Sequence, residues 1–128
     1  MRLLLDTHTF VWALLAGDRL SRQARAAIEV PDSEVEISVS SIWEIAIKVG
    51  LGKWPEAEPV LGNVEAHLDR LQFSLLPISI ADVRAAGLLR SPHRDPFDRL
   101  LAAQAQIEGL TLVTADAKVQ VLAKDWLW

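Results

Sequence analysis

An α/β fold with a central parallel sheet between two layers of helices is what this chain predicts. Three observations carry that prediction. Residues 3–5 and 110–113 are short, near-continuous apolar runs, the pattern of strands covered on both faces. Helical stretches of roughly ten residues alternate with such strands, which implies parallel pairing and helices on both sides of the sheet. No repeat, low-complexity tract or linker interrupts the 128 residues, so residues 1–128 read as one domain.

The elements follow in order. After the strand at 3–5, residues 7–16 carry Phe10, Val11, Leu14 and Leu15 at the spacing of one buried helical face. Gly17 and Asp18 stop that helix. Ser21 is placed to cap a second helix reaching residue 28, with Leu20 as its hydrophobic staple. Residues 35–39 alternate apolar and polar with β-branched side chains, a strand. Ser41 and Glu44 have the spacing of a capping box for a helix ending at Gly50. Glycines and Pro55 then mark a loop, and residues 56–60 read as irregular. A helix is expected over 63–71, a short strand over 73–76, and a helix to residue 89 capped by Ser79 with Asp82 at the box position. Residues 91–94 read as an exposed loop. Asp95 is the expected cap of a helix with Pro96 at its first position, where a missing N–H costs nothing. Gly109 closes that helix. After the strand at 110–113 come a last helix over 116–124 and an edge strand over 126–128.

Composition excludes several chemistries. There is no cysteine, so disulfides, thiolate zinc sites and cysteine nucleophiles are absent. The apolar fraction of 51% and charged fraction of 23% suit a packed globular chain. No apolar run approaches the ~18 residues of a membrane helix. Asp6 cuts the first apolar run after three leucines, short of the ~7 residues of a signal peptide core. A soluble, cytoplasmic protein is expected. The net charge of −4 argues against a broad basic surface that grips nucleic acid unaided, yet four of its acids recur in one setting.

Asp6, Glu44, Asp98 and Asp116 each stand after an apolar run or at a helix start. In an open parallel sheet, the C-terminal strand ends meet at one edge, and sites form there near the point where strand order reverses. Clustered carboxylates repel unless a cation sits among them. Oxygen ligands without Cys or His favour Mg²⁺ or Mn²⁺, ions suited to phosphodiester hydrolysis by activated water. Each acid also has a plainer role: Glu44 and Asp98 as helix-start acids, Asp116 as a turn or cap. Asp6 is harder to explain so, because an unpaired acid directly after a buried strand is costly.

Four stretches, residues 3–8, 40–48, 93–104 and 109–116, resemble the PIN domain, and within it the VapC-type toxins of bacteria. The resemblance spans nearly the whole chain, with motifs in family order. It implies a three-layer α/β/α nuclease that cuts RNA with one or two Mg²⁺ or Mn²⁺ ions, is blocked by a cognate antitoxin, and dimerises. Carried over residue by residue, Asp6, Glu44, Asp98 and Asp116 are the catalytic, metal-holding acids. Asp95 is a cap supporting them, and Thr114 matches the hydroxyl two residues before the last acid.

Other residues read as follows. Lys48 is four residues after Glu44, the favourable order for a helical ion pair, with phosphate contact as the alternative. Arg99 and Arg94 are candidates to hold phosphate, against a plain exposed role. His8 reads as a packing or hydrogen-bonding residue rather than a substrate contact, and His93 as solvated. Trp12 and Trp43 read as packing or interface residues. Trp54 could stack on a base or meet an antitoxin, the latter preferred, and Trp126 and Trp128 read as edge or dimer packing. Two rivals to the nuclease remain: a catalytically silent binding module on the same fold, and a phosphoacceptor signalling domain. The second wants paired acids after the first strand and a lysine ending the last, and has neither.

Overall fold

Five strands, all paired in parallel, form the sheet of the computed structural model, which describes residues 1–128. They are β1 (Arg2–Leu5), β2 (Glu34–Ser38), β3 (Ser74–Leu76), β4 (Thr111–Val113) and β5 (Trp126–Leu127), in the spatial order β3-β2-β1-β4-β5. β1 is central. The chain builds outward from it on one side, then returns to place β4 on the other, so strand order reverses between β1 and β4. Their register pairs Leu3 with Thr111 and Leu5 with Val113. The two most apolar runs are therefore neighbours.

Alternation along β1 explains the layering. Leu3 and Leu5 pack on one face with Phe10, Val11 and Ile45. Leu4 points to the other face and meets Leu101, Ala105 and Val119. The first face is covered by α1 (Thr7–Leu15), α2 (Arg22–Glu29), α3 (Val39–Gly50), α4 (Glu58–Leu61) and α5 (Val64–Leu71). Helices α7 (Pro96–Glu108) and α8 (Ala117–Leu122) cover the second, with α6 (Ile80–Leu88) packed on α7. The result is the three-layer α/β/α arrangement.

Local chemistry sets most boundaries. The side chains of Ser21, Asn63, Ser79 and Asp95 cap α2, α5, α6 and α7, and Ser79 with Asp82 makes a complete capping box. Gly109 ends α7 at φ 68°, the left-handed conformation that glycine adopts without a Cβ penalty.

Two expectations need correction. Ser41 does not cap α3. The helix starts at Val39, and the buried Ser38 hydroxyl accepts from the Ser40 N–H at 3.1 Å. Strand β2 therefore runs straight into α3, and Ser41 and Glu44 are its third and sixth residues. Residues 56–60 are not irregular either. A 3₁₀ turn (Pro55–Ala57) leads into α4, because Ala57 and Val60 bury completely against the first face of the sheet. No helix is long and apolar enough to cross a membrane.

Candidate active site

The strand order places an open cleft of about 520 Å³ outside the C-terminal ends of β1 and β4, and Asp6, Glu44, Asp95, Asp98 and Asp116 all line it. Five acids from four separate segments of chain therefore share one cavity.

Asp6 leaves β1 and turns into α1. Its carboxylate accepts from the Thr9 N–H at 2.8 Å, so it caps the helix while facing the cleft. Only 7% of its surface is exposed. Burial pushes its carboxyl up from the usual range. Hydrogen bonds from Thr114 and Thr9, and the nearby His8, oppose that rise.

Thr114 joins the first and last acids. Its hydroxyl bonds to Asp6 and accepts from the Asp116 N–H at 3.1 Å. Asp116 is exposed and caps α8 by accepting from the Lys118 N–H at 2.9 Å.

Glu44 is buried on α3, six residues past the end of β2. Thr7 donates its hydroxyl to Glu44 Oε1 at 2.6 Å, and Lys48 Nζ lies 2.9 Å from Oε2. Thr7 had drawn no attention in the sequence. Its only signal there is its place directly after a strand-end acid. The predicted Lys48 pair forms.

Asp98 stands at the third position of α7, beneath Asp95, whose carboxylate accepts from the N–H groups of both Phe97 and Asp98. Burial raises the Asp98 carboxyl to about 6; the His93 hydrogen bond opposes this, and the charges of Asp95 and Glu44 add to it. His93 Nε2 lies 2.7 Å from Asp98 Oδ2, so His93 is not simply solvated. The pairing spans a proline and a loop, and no periodicity foretells it.

Arg99 also departs from expectation. Its guanidinium turns away from the cleft and donates to the carbonyls of Ala86, Gly87, Leu89, Ser91 and His93. A fork engaged with five carbonyls has no donors left for phosphate. Arg94 points to a different hollow, an apolar groove beside Trp43 and Phe97. His8 packs, as expected, but on Trp54, and both rings line the cleft, as do Trp12 and Arg19. Trp43 is exposed and meets Phe97 edge-on at 5.3 Å, and Trp128 packs against Trp12.

The donor set suits a hard divalent cation: the acids offer carboxylate oxygens only, and burial holds two of the carboxyls above their usual range. No three of these groups converge tightly enough to enclose an ion as they stand. Glu44 gives one oxygen to Thr7 and the other to Lys48, and Asp98 gives one to His93.

Residues 3–125 match the PIN domain. The chain belongs to the PIN domain family. A relative named Ribonuclease VapC22, from Mycobacterium tuberculosis, is 32% identical over 117 residues, covering 91% of this chain and 88% of that protein. Among solved structures, VapBC2 from Rickettsia felis, bound to a DNA fragment from its promoter, superposes with a TM-score of 0.72. The identity is 21%, with 100% of this PIN domain chain and 99% of the other covered. FitAcB from Neisseria gonorrhoeae gives a TM-score of 0.65 at 20% identity over 98% of this chain and 96% of its own. At those identities the structures speak for the shared fold alone.

Proposed function

We propose that this PIN domain is a divalent-metal-dependent endoribonuclease, the toxin of a toxin–antitoxin pair, and that Asp6, Glu44, Asp98 and Asp116 hold Mg²⁺ or Mn²⁺. The observation that carries the reading is the meeting of these four acids in one cleft at the strand-order reversal. The likeness to a protein named as a ribonuclease, and to toxin–antitoxin complexes from Rickettsia felis and Klebsiella pneumoniae, supports the same reading.

When bound, such an ion makes water a stronger nucleophile at neutral pH and offsets the charge that builds on the attacked phosphate. The chain's own groups prepare that chemistry. The Thr9 N–H and the Thr114 hydroxyl hold Asp6 in one orientation, and Thr7 does so for Glu44. Asp95 ties the first turn of α7 and so sets where Asp98 stands. The chain has no cysteine to act as nucleophile, which fits hydrolysis by water. The groove at Trp43, Ile47 and Phe97 offers apolar surface near the site, of the kind that a protein partner such as an antitoxin or a second copy covers.

Induced expression in a bacterium, with RNA ends sequenced, tests this reading. Wild type is expected to arrest growth and create discrete new RNA ends, and Asp6→Asn to do neither. Co-expression of the cognate antitoxin is expected to restore growth. Equal new ends from both proteins would remove Asp6 from the mechanism.

A further inference from the structure

Acids make up only part of the cleft. Rings and cations line the rest: His8, Trp12 and Trp54, with Lys48 and Arg19. His8 lies on Trp54 with 4.4 Å between ring centroids and 29° between planes, and meets Trp12 edge-on at 5.7 Å. Lys48 Nζ stands 5.5 Å from the Trp54 ring centre, and the Arg19 guanidinium 4.9 Å from that of Trp12.

This wall is more than buried packing. His8 is exposed to solvent, and both indoles remain partly open. The wall also adjoins the acids through the chain: His8 is two residues from Asp6, and Lys48 links Glu44 to the Trp54 ring. Flat π-faces next to cations, beside a carboxylate cluster, match the parts of a nucleotide. A base finds a stacking surface, its flanking phosphates find Lys48 and Arg19, and the reacting phosphate finds the acids with their ion.

We propose that His8 and Trp54 form a nucleobase subsite that stacks an unpaired base adjoining the scissile phosphate. The proposal rests on the ribonuclease reading above and adds a substrate feature to it. A base inside a duplex already has both faces stacked, so the subsite selects RNA that is single-stranded at the cut. The same surface could instead contact a protein, but its placement within the acid-lined cleft, and its cations, favour RNA.

The test uses purified full-length protein and an oligoribonucleotide spanning a mapped cleavage site. A second substrate lacks only the base adjoining the cut. Removing that base is expected to raise the wild-type KM by roughly 5- to 150-fold, the range of one base–aromatic stack, with kcat changed less. Trp54→Ala and His8→Ala should show a similar rise on the intact substrate and little further loss on the abasic one. Trp54→Phe should keep most of the affinity. Because Trp54 also touches the core, the exposed His8 provides a variant that removes a ring of the wall without touching the buried core. Equal cleavage of the two substrates by wild type overturns the subsite alone. So does a Trp54→Ala defect of equal size on both substrates, or one confined to antitoxin binding. Absence of any RNA cleavage by wild type overturns the ribonuclease reading beneath it as well.

Discussion

Asp98 combines two demands on one carboxylate. It occupies a helix start, where an acid is favoured, and a crowded cleft, where its charge is resisted. With its carboxyl raised to about 6 and an unfolded value near 4, the folded chain keeps a proton that the unfolded chain has lost between those values. Stability from this group is therefore full below about pH 4 and falls as pH rises through about 6. Asp6, raised by burial, acts in the same direction. In chelator, the thermal midpoint of Asp98→Asn should fall less than that of wild type between pH 5 and pH 7.5. Mn²⁺ should raise the wild-type midpoint more at pH 7.5 than at pH 5. Parallel pH profiles for the two proteins would contradict this account of Asp98. Asp6 and Asp116 were readable in the sequence because each ends an apolar run. Thr7 and His93 were not, because their partners, Glu44 and Asp98, are reached across long or irregular chain.

The clearest case of an element held by one side chain is the turn between α6 and α7. Arg99 gathers the carbonyls of residues 86–93 around its guanidinium, and this presents His93 to Asp98. Hydrogen bonds to a charged group contribute about 1.5–3 kcal/mol each in favourable settings, and they are not additive. Arg99→Ala is expected to destabilise by roughly 2–3 kcal/mol in urea titration. Arg99→Lys should recover little, since an ammonium cannot span the fork. Full stability in Arg99→Ala would show that the turn holds itself. Helix starts at Ser21, Ser79 and Asp95 could be read in advance because capping is a local matter of residue type and spacing. The start of α3 misled because Ser38 caps directly from the strand end, so the Ser41 hydroxyl is free to pair with that of Thr7 instead. Residues 56–60 misled because two buried side chains, Ala57 and Val60, outweigh a sequence rich in Pro and Glu.

Across the molecule, the parallel sheet followed from apolar runs alternating with helices. What sequence spacing alone left open was convergence. Four acids scattered from residue 6 to residue 116 meet only because the strand order reverses between β1 and β4. The same packing makes the site sensitive to its core: Leu4→Ala, which empties a fully buried position in the central strand, is expected to cost about 2–5 kcal/mol in chemical denaturation. With a formal charge of −4, the chain has few cations to spare for RNA, so the ion proposed for the cleft would serve binding as well as chemistry. Cleavage of one defined RNA by purified protein, in Mn²⁺ or Mg²⁺ and in chelator, puts this to the test. Wild type should cut only with the metal, and Asp6→Asn, Glu44→Gln, Asp98→Asn and Asp116→Asn, each folded by circular dichroism, should fall to background. Cleavage that persists in chelator, or survives undiminished in any of the four variants, would contradict a metal site built from these acids.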